Sequence, residues 1–88
     1  MATKEMVKAF REQPPFSPDQ KITVLVSGNP KRSTAAQRWT YHTGMTVWEC
    51  MVLAERRKFP LVHGAKTNAE LAMMDMRWDH NARFIDIK

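Results

Sequence analysis

The residues best placed to bind an anion lie between Gly28 and Thr34, where a hydrophobic run meets the start of a predicted helix. The segment reads Gly-Asn-Pro-Lys-Arg-Ser-Thr. A helix N-terminus presents unpaired N–H groups and partial positive charge, and Lys31 and Arg32 add two full charges. A phosphate is the expected ligand, and an ordinary turn with solvated cations is the alternative. The glycine spacing of a nucleotide-binding phosphate loop is absent, so nucleotide hydrolysis is not expected.

A second group of cations, Arg56-Arg57-Lys58, follows another predicted helix. Cations are favoured at a helix C-terminus without any ligand, which is the alternative explanation. If both groups face one way, they contact two stretches of a phosphate backbone, which gives affinity without sequence reading. The candidate nucleic-acid-binding residues are Lys31, Arg32, Ser33, Arg38, Arg56, Arg57 and Lys58.

Catalytic and metal-binding patterns are weak. The three histidines are at least seventeen residues apart, so no pair has metal-ligand spacing. Asp75 and Asp79 can share a helix face, and a solvated face or a pairing with Arg83 is more ordinary there than acid/base chemistry. Cys50 falls in the first turn of a predicted helix, where a thiolate is stabilised. Without a nucleophile and a base to activate it, we expect no enzyme, no metal and no cofactor.

Composition indicates one small globular domain whose positive charge favours an anionic partner, and a solvated basic surface with no specific partner is the alternative. The chain has 88 residues, of which 43% are hydrophobic and 26% charged, with a net charge of +5. Residues 20–66 hold the surplus, with eight cationic side chains and two acidic ones. The single cysteine excludes an intrachain disulfide. Neither a membrane-spanning apolar run nor a secretory signal is visible, so a cytoplasmic location without membrane contact is expected.

The chain divides into an arm and a domain. Residues 1–19 are predicted to form a short helix and a Pro-rich arm, because three prolines lie between Gln13 and Asp19 and each lacks the N–H that helices and strands require. Residues 20–88 are predicted to form a single small α+β domain.

Two short strands are predicted to pair with each other. Lys21–Ser27 alternates and is rich in β-branched residues, and Phe84–Ile87 is similar. Each is too short to be stable alone. A competing interpretation makes Met76–Trp78 a strand that turns and returns through Phe84–Ile87 as a hairpin, or wing.

Three helices are predicted between the strands. Ser33 or Thr34 caps the first, which runs through Arg38 and Tyr41 and stops at Gly44. The second begins with a capping box at Thr46 and reaches Arg56.

The third predicted helix begins with a capping box at Thr67. Leu71, Met74, Trp78 and Ala82 form one stripe on it, which is expected to face the core. Most aromatic side chains of the chain are expected to be core residues, and stacking on nucleic-acid bases is the alternative.

The sequence also resembles a known pattern over residues 22–87. The residues that carry it are Asn29-Pro30-Lys31-Arg32, Arg38-Trp39, Gly44-Met45-Thr46-Val47, Arg77-Trp78-Asp79 and Phe84-Ile85. The pattern is similar to that of short uncharacterised bacterial and phage proteins, which usually carry glycine before the final aromatic residue, where this chain has Arg83. The layout also resembles winged helix-turn-helix DNA-binding domains. In those domains consecutive short helices pack on a small sheet. The predicted fold is α+β and winged-helix-like, with a small two- or three-stranded antiparallel sheet packed with three or four short helices.

These observations favour non-enzymatic nucleic-acid binding, with duplex DNA as the expected partner, through a basic face. The alternative is a small phage-type inhibitor or adaptor that binds a host protein complex. A DNA mimic is excluded because it would be acidic.

Overall fold

A computed structural model describes residues 16–88 of the chain. Its five elements are β1 (Ile22–Val24), α1 (Ser33–Gln37), α2 (Val47–Arg57), α3 (Asn68–Asn81) and β2 (Ile85–Ile87). The domain is therefore α+β, with three helices and a two-stranded antiparallel sheet in the described part. The predicted N-terminal helix lies outside the described residues.

The strands pair as predicted but are shorter. Ile22 is opposite Ile87, and Val24 is opposite Ile85. On the other edge of β1, the Ile22 N–H donates to Met45 O at 2.8 Å, and an isolated bridge joins Lys21 to Thr46. β1 therefore contacts β2 on one edge and the residues that precede α2 on the other.

Helices begin at both predicted capping boxes, and each threonine makes its N-cap bond. Thr46 Oγ1 accepts the Glu49 N–H at 3.1 Å, and Thr67 Oγ1 accepts the Glu70 N–H at 3.1 Å. Each bond satisfies one of the free N–H groups of a first helical turn. The hairpin interpretation of Met76–Trp78 is wrong, because these residues lie inside α3.

The first predicted helix is much shorter than expected. α1 ends at Gln37 rather than near Gly44, and its N-cap is Arg32, whose side chain makes no capping bond. Ser33, one of the two expected caps, has a φ of 56° at the start of the helix. A helix of five residues without a side-chain cap has little stability of its own.

The core lies between the sheet, α2 and α3. Fully buried side chains include Ile22, Met51, Met73, Met76 and Ile85. Residues 16–20 also lie against the domain: the Phe16 side chain is buried, and Pro18 O accepts the Trp48 N–H at 3.0 Å.

The predicted inward stripe of α3 is correct at Leu71 and wrong at Trp78. Leu71 is buried together with Met73, Met76 and Asp79, whereas Trp78 is 60% exposed. The carboxylate of Asp79 occupies a core position, so the apolar periodicity alone points to the neighbouring face.

Candidate nucleic-acid interface

Lys31, a predicted phosphate ligand, is bound inside the domain. Its Nζ lies 2.6 Å from Asp79 Oδ1, and the Tyr41 hydroxyl donates to Asp79 Oδ2 at 2.7 Å. The Asp79 side chain is only 2% exposed. Burial of a carboxylate is costly unless it is paired and hydrogen-bonded, and Lys31 and Tyr41 together supply both partners. We call these three side chains the buried ionic network.

The loop before α1 positions Lys31 for this role. The Asn29 side chain accepts the Lys31 N–H at 3.0 Å and donates to Ala36 O at 2.9 Å. These two bonds close the Gly-Asn-Pro turn onto α1. The turn therefore directs Lys31 toward α3 rather than toward solvent.

Arg38 is also engaged by α3. Its Nε and Nη2 donate to the two carboxylate oxygens of Asp75 at 2.7 and 3.1 Å. These bonds raise the pKa of the guanidinium, although its desolvation acts in the opposite direction. A bidentate pair of this kind is strong and directional. Lys31 and Arg38 are thus each paired with a carboxylate of α3, so the predicted phosphate contacts would require both pairs to open.

The helix-terminus phosphate site is not formed as predicted. Arg32 and Ser33 are exposed, but they precede a helix of only five residues. Such a helix has few aligned peptide dipoles to attract an anion. The cation expected to reinforce the site, Lys31, is turned away to Asp79.

The remaining predicted cations lie where α2 meets α3. Glu55 Oε1 accepts the Ala69 N–H at 3.0 Å, which holds the end of α2 against the start of α3. Four exposed cations lie within three residues of this contact in the sequence. They are Arg56, Arg57, Lys58 and Lys66, and we call them the basic corner.

Charge in the basic corner is not neutralised by the described part of the chain. Within residues 16–88, no carboxylate lies within salt-bridge distance of any of its four cations. The neighbouring acid, Glu55, is bound to a backbone amide. Lys66 was not among the sequence candidates, although its position just before the Thr67 cap places it at the start of a helix.

Lys58 has an unusual backbone conformation for a lysine. It caps the C-terminus of α2 with a φ of 53°, in the left-handed region that favours glycine. Its N–H donates to Ala54 O, as expected of a residue that ends a helix. The chain thus carries a cation at a position where glycine would be less strained.

The possible nucleophile and acid/base residues are occupied or buried. Burial raises the pKa of the Cys50 thiol to about 12, so the expected thiolate stabilisation is wrong. Burial likewise raises the pKa of Tyr41 well above its ordinary value. Asp75 and Asp79 pair with Arg38 and Lys31, not with Arg83.

Among residues 16–88, no group of three or more His, Cys, Asp or Glu side chains is arranged to hold a metal ion. None of the helices in these residues combines the length and apolar character needed to cross a membrane.

Comparison with protein-family models, with curated proteins and with solved structures finds no match to this chain.

Proposed function

We propose that the protein binds nucleic acid without catalysis, with the basic corner in contact with the phosphate backbone of duplex DNA. The observation that carries this proposal is the group of four exposed cations without acidic partners in residues 16–88. Such a group attracts a polyanion, and each phosphate it neutralises releases counterions and adds affinity.

A winged-helix-like arrangement is part of the proposal. In helix-turn-helix domains the second helix enters the major groove and reads base edges. α3 is the corresponding element here, and Arg77 and Asn81 are exposed on it. Both are residue types that bond base edges. The connection between α2 and α3 spans residues 58–67, which is longer than the usual turn of three or four residues. The single cysteine agrees with action in the reducing cytoplasm.

The second candidate is a small inhibitor or adaptor that binds a host protein. The exposed indole of Trp78 favours it, because tryptophan is enriched among the residues that dominate protein interfaces. Capture of a defined host protein from nuclease-treated lysate, together with negligible DNA binding, would favour this candidate over the first.

Replacement of Lys58 by glycine is expected to weaken DNA binding without lowering the stability of the fold. The variant removes the strain of a lysine in the left-handed backbone region. Its free energy of unfolding should therefore not fall, and should rise by up to about 1 kcal/mol. Loss of one phosphate contact should weaken duplex DNA binding roughly five-fold at ~0.15 M salt and reduce the salt slope by about 0.9. Thermal unfolding and salt titrations measure the two effects.

Arg83→Gly is the matched control for this variant. Arg83 also has a left-handed backbone, with a φ of 62°, and it is also exposed. It follows the C-terminal end of α3, about 20 Å along that helix from the basic corner. It should gain the same stability and keep the parent affinity. An equal loss of affinity in both variants would show that net charge alone matters and would contradict the proposed interface.

A further inference from the structure

Trp78 is the most exposed large hydrophobic side chain among residues 16–88, and it is also held in place. It is 60% exposed, yet Lys31 Nζ lies 4.5 Å from the centroid of its ring. The Phe84 ring is 5.9 Å away and tilted by 51°. Because Lys31 is fixed by Asp79, the buried ionic network also fixes the indole. An exposed aromatic ring whose position is already set loses little entropy when a partner stacks on it.

The surroundings of Trp78 combine apolar and polar side chains. A groove of about 370 Å³ beside it is lined by Met74, Arg77 and Asn81. The two carboxylates closest in sequence, Asp75 and Asp79, are paired with Arg38 and Lys31. A polyanion can therefore approach this face of α3 without meeting an unpaired aspartate from that turn.

Trp78 lies on α3, and Ala69 at the start of the same helix makes the contact with Glu55 beside which the basic corner lies. Ten residues of α3 separate Asn68 from Trp78, a distance of about 15 Å along the helix axis. That distance corresponds to roughly four or five stacked nucleotides of one strand. A single strand of that length is long enough to cover the axial distance between the start of α3 and the indole.

We propose that the Trp78 indole is a stacking platform for one unpaired nucleobase of the nucleic acid held at the basic corner. This inference rests on the proposed function. In an intact duplex both faces of each base are already stacked, so the indole needs a single strand, a bulge or an extruded base. The exposed cations of the basic corner favour a nucleic acid over an uncharged peptide as the occupant.

Oligonucleotides that differ only in pairing test the proposal. Trp78→Ala should weaken binding of a single strand, and of a duplex with one central bulged nucleotide, by roughly five-fold to a hundred-fold. Binding of the fully paired duplex should be weakened much less, because its bases offer no free face to the indole. The salt slope should stay the same, because no phosphate contact is removed. Trp78→Phe retains an aromatic ring and should recover most of the affinity.

Fluorescence gives a second readout that does not depend on the alanine variant being well folded. The single strand should quench the parent's tryptophan emission, and Trp78→Phe should lose most of that quenching although Trp39 and Trp48 remain. Circular dichroism and thermal unfolding show whether each variant is folded.

The outcomes separate this inference from the proposed function. Suppose that Trp78→Ala binds every oligonucleotide as tightly as the parent, while the double variant Arg56→Ala and Arg57→Ala binds them weakly. The proposal that Trp78 stacks a base is then wrong, and the proposal that the basic corner binds nucleic acid is retained. If the parent binds no nucleic acid, both fail. If nuclease-treated lysate yields a protein partner whose capture requires Trp78, the face is a protein-docking site and the platform is overturned.

Discussion

Replacement of Asp79 by alanine is expected to cost about 3–5 kcal/mol of folding stability, the usual cost of removing one partner from a buried ion pair. The change leaves the Lys31 ammonium without its anion and the buried Tyr41 hydroxyl without its acceptor. A domain of this size has a total stability of roughly 4–13 kcal/mol. The variant should therefore lose a large share of its stability and unfold at a clearly lower urea concentration and temperature than the parent.

A double-mutant cycle shows whether the pairing is the cause. Lys31→Met should also destabilise, because it leaves Asp79 buried with only the Tyr41 hydroxyl as partner. Lys31→Met combined with Asp79→Leu removes both charges and should recover much of the loss. If Asp79→Ala unfolds within about 1 kcal/mol of the parent, the buried ionic network does not organise the fold as described.

The double replacement Arg56→Ala and Arg57→Ala is expected to weaken duplex DNA binding roughly thirty-fold at ~0.15 M salt, through loss of two phosphate contacts. The salt slope should become shallower by about 1.8. Both side chains are exposed at the end of α2, so the fold should be nearly unaffected. Affinity measured as a function of salt concentration tests the prediction.

A pair of cations elsewhere provides the matched control. Lys21 and Lys88 are exposed neighbours at the sheet edge, where the Lys88 N–H donates to Lys21 O at 3.0 Å. Their double replacement by alanine removes the same formal charge. It should leave DNA affinity within about two-fold, because long-range effects are screened at this salt concentration. An equal loss of DNA affinity in the two double variants would contradict the proposal that the basic corner is the interface.

The features predicted well from the sequence are those that depend on neighbouring residues. The caps at Thr46 and Thr67 are read from a residue and its partner three positions later, and the structure forms both. The pairing of the two strands also follows from short apolar runs that cannot be stable alone.

The features missed depend on partners far apart in the chain. Lys31 and Asp79 are 48 residues apart, and Arg38 and Asp75 are 37 apart, so nothing local indicates that these cations are already neutralised. The same pairing explains why the buried face of α3 is predicted incorrectly. A hydrophobic pattern treats Asp79 as a surface residue, because the pattern does not include its buried counterion Lys31. The pattern therefore predicts Trp78 in the core instead.

The candidate site was therefore only partly predictable. The cations at the end of α2 are contiguous in the sequence and remain exposed, whereas those before α1 are used within the fold. Lys66 joins the basic corner through the Glu55–Ala69 contact, which sequence spacing does not reveal.

The most direct test of the account is the salt dependence of binding between the parent protein and random-sequence duplex DNA. With four cations at the interface, log affinity should fall against log salt with a slope of about −3.6, a loss of roughly a hundred-fold between ~50 and ~200 mM salt. A slope near zero, or binding too weak to measure even at the lowest salt concentration, would contradict nucleic-acid binding through the basic corner.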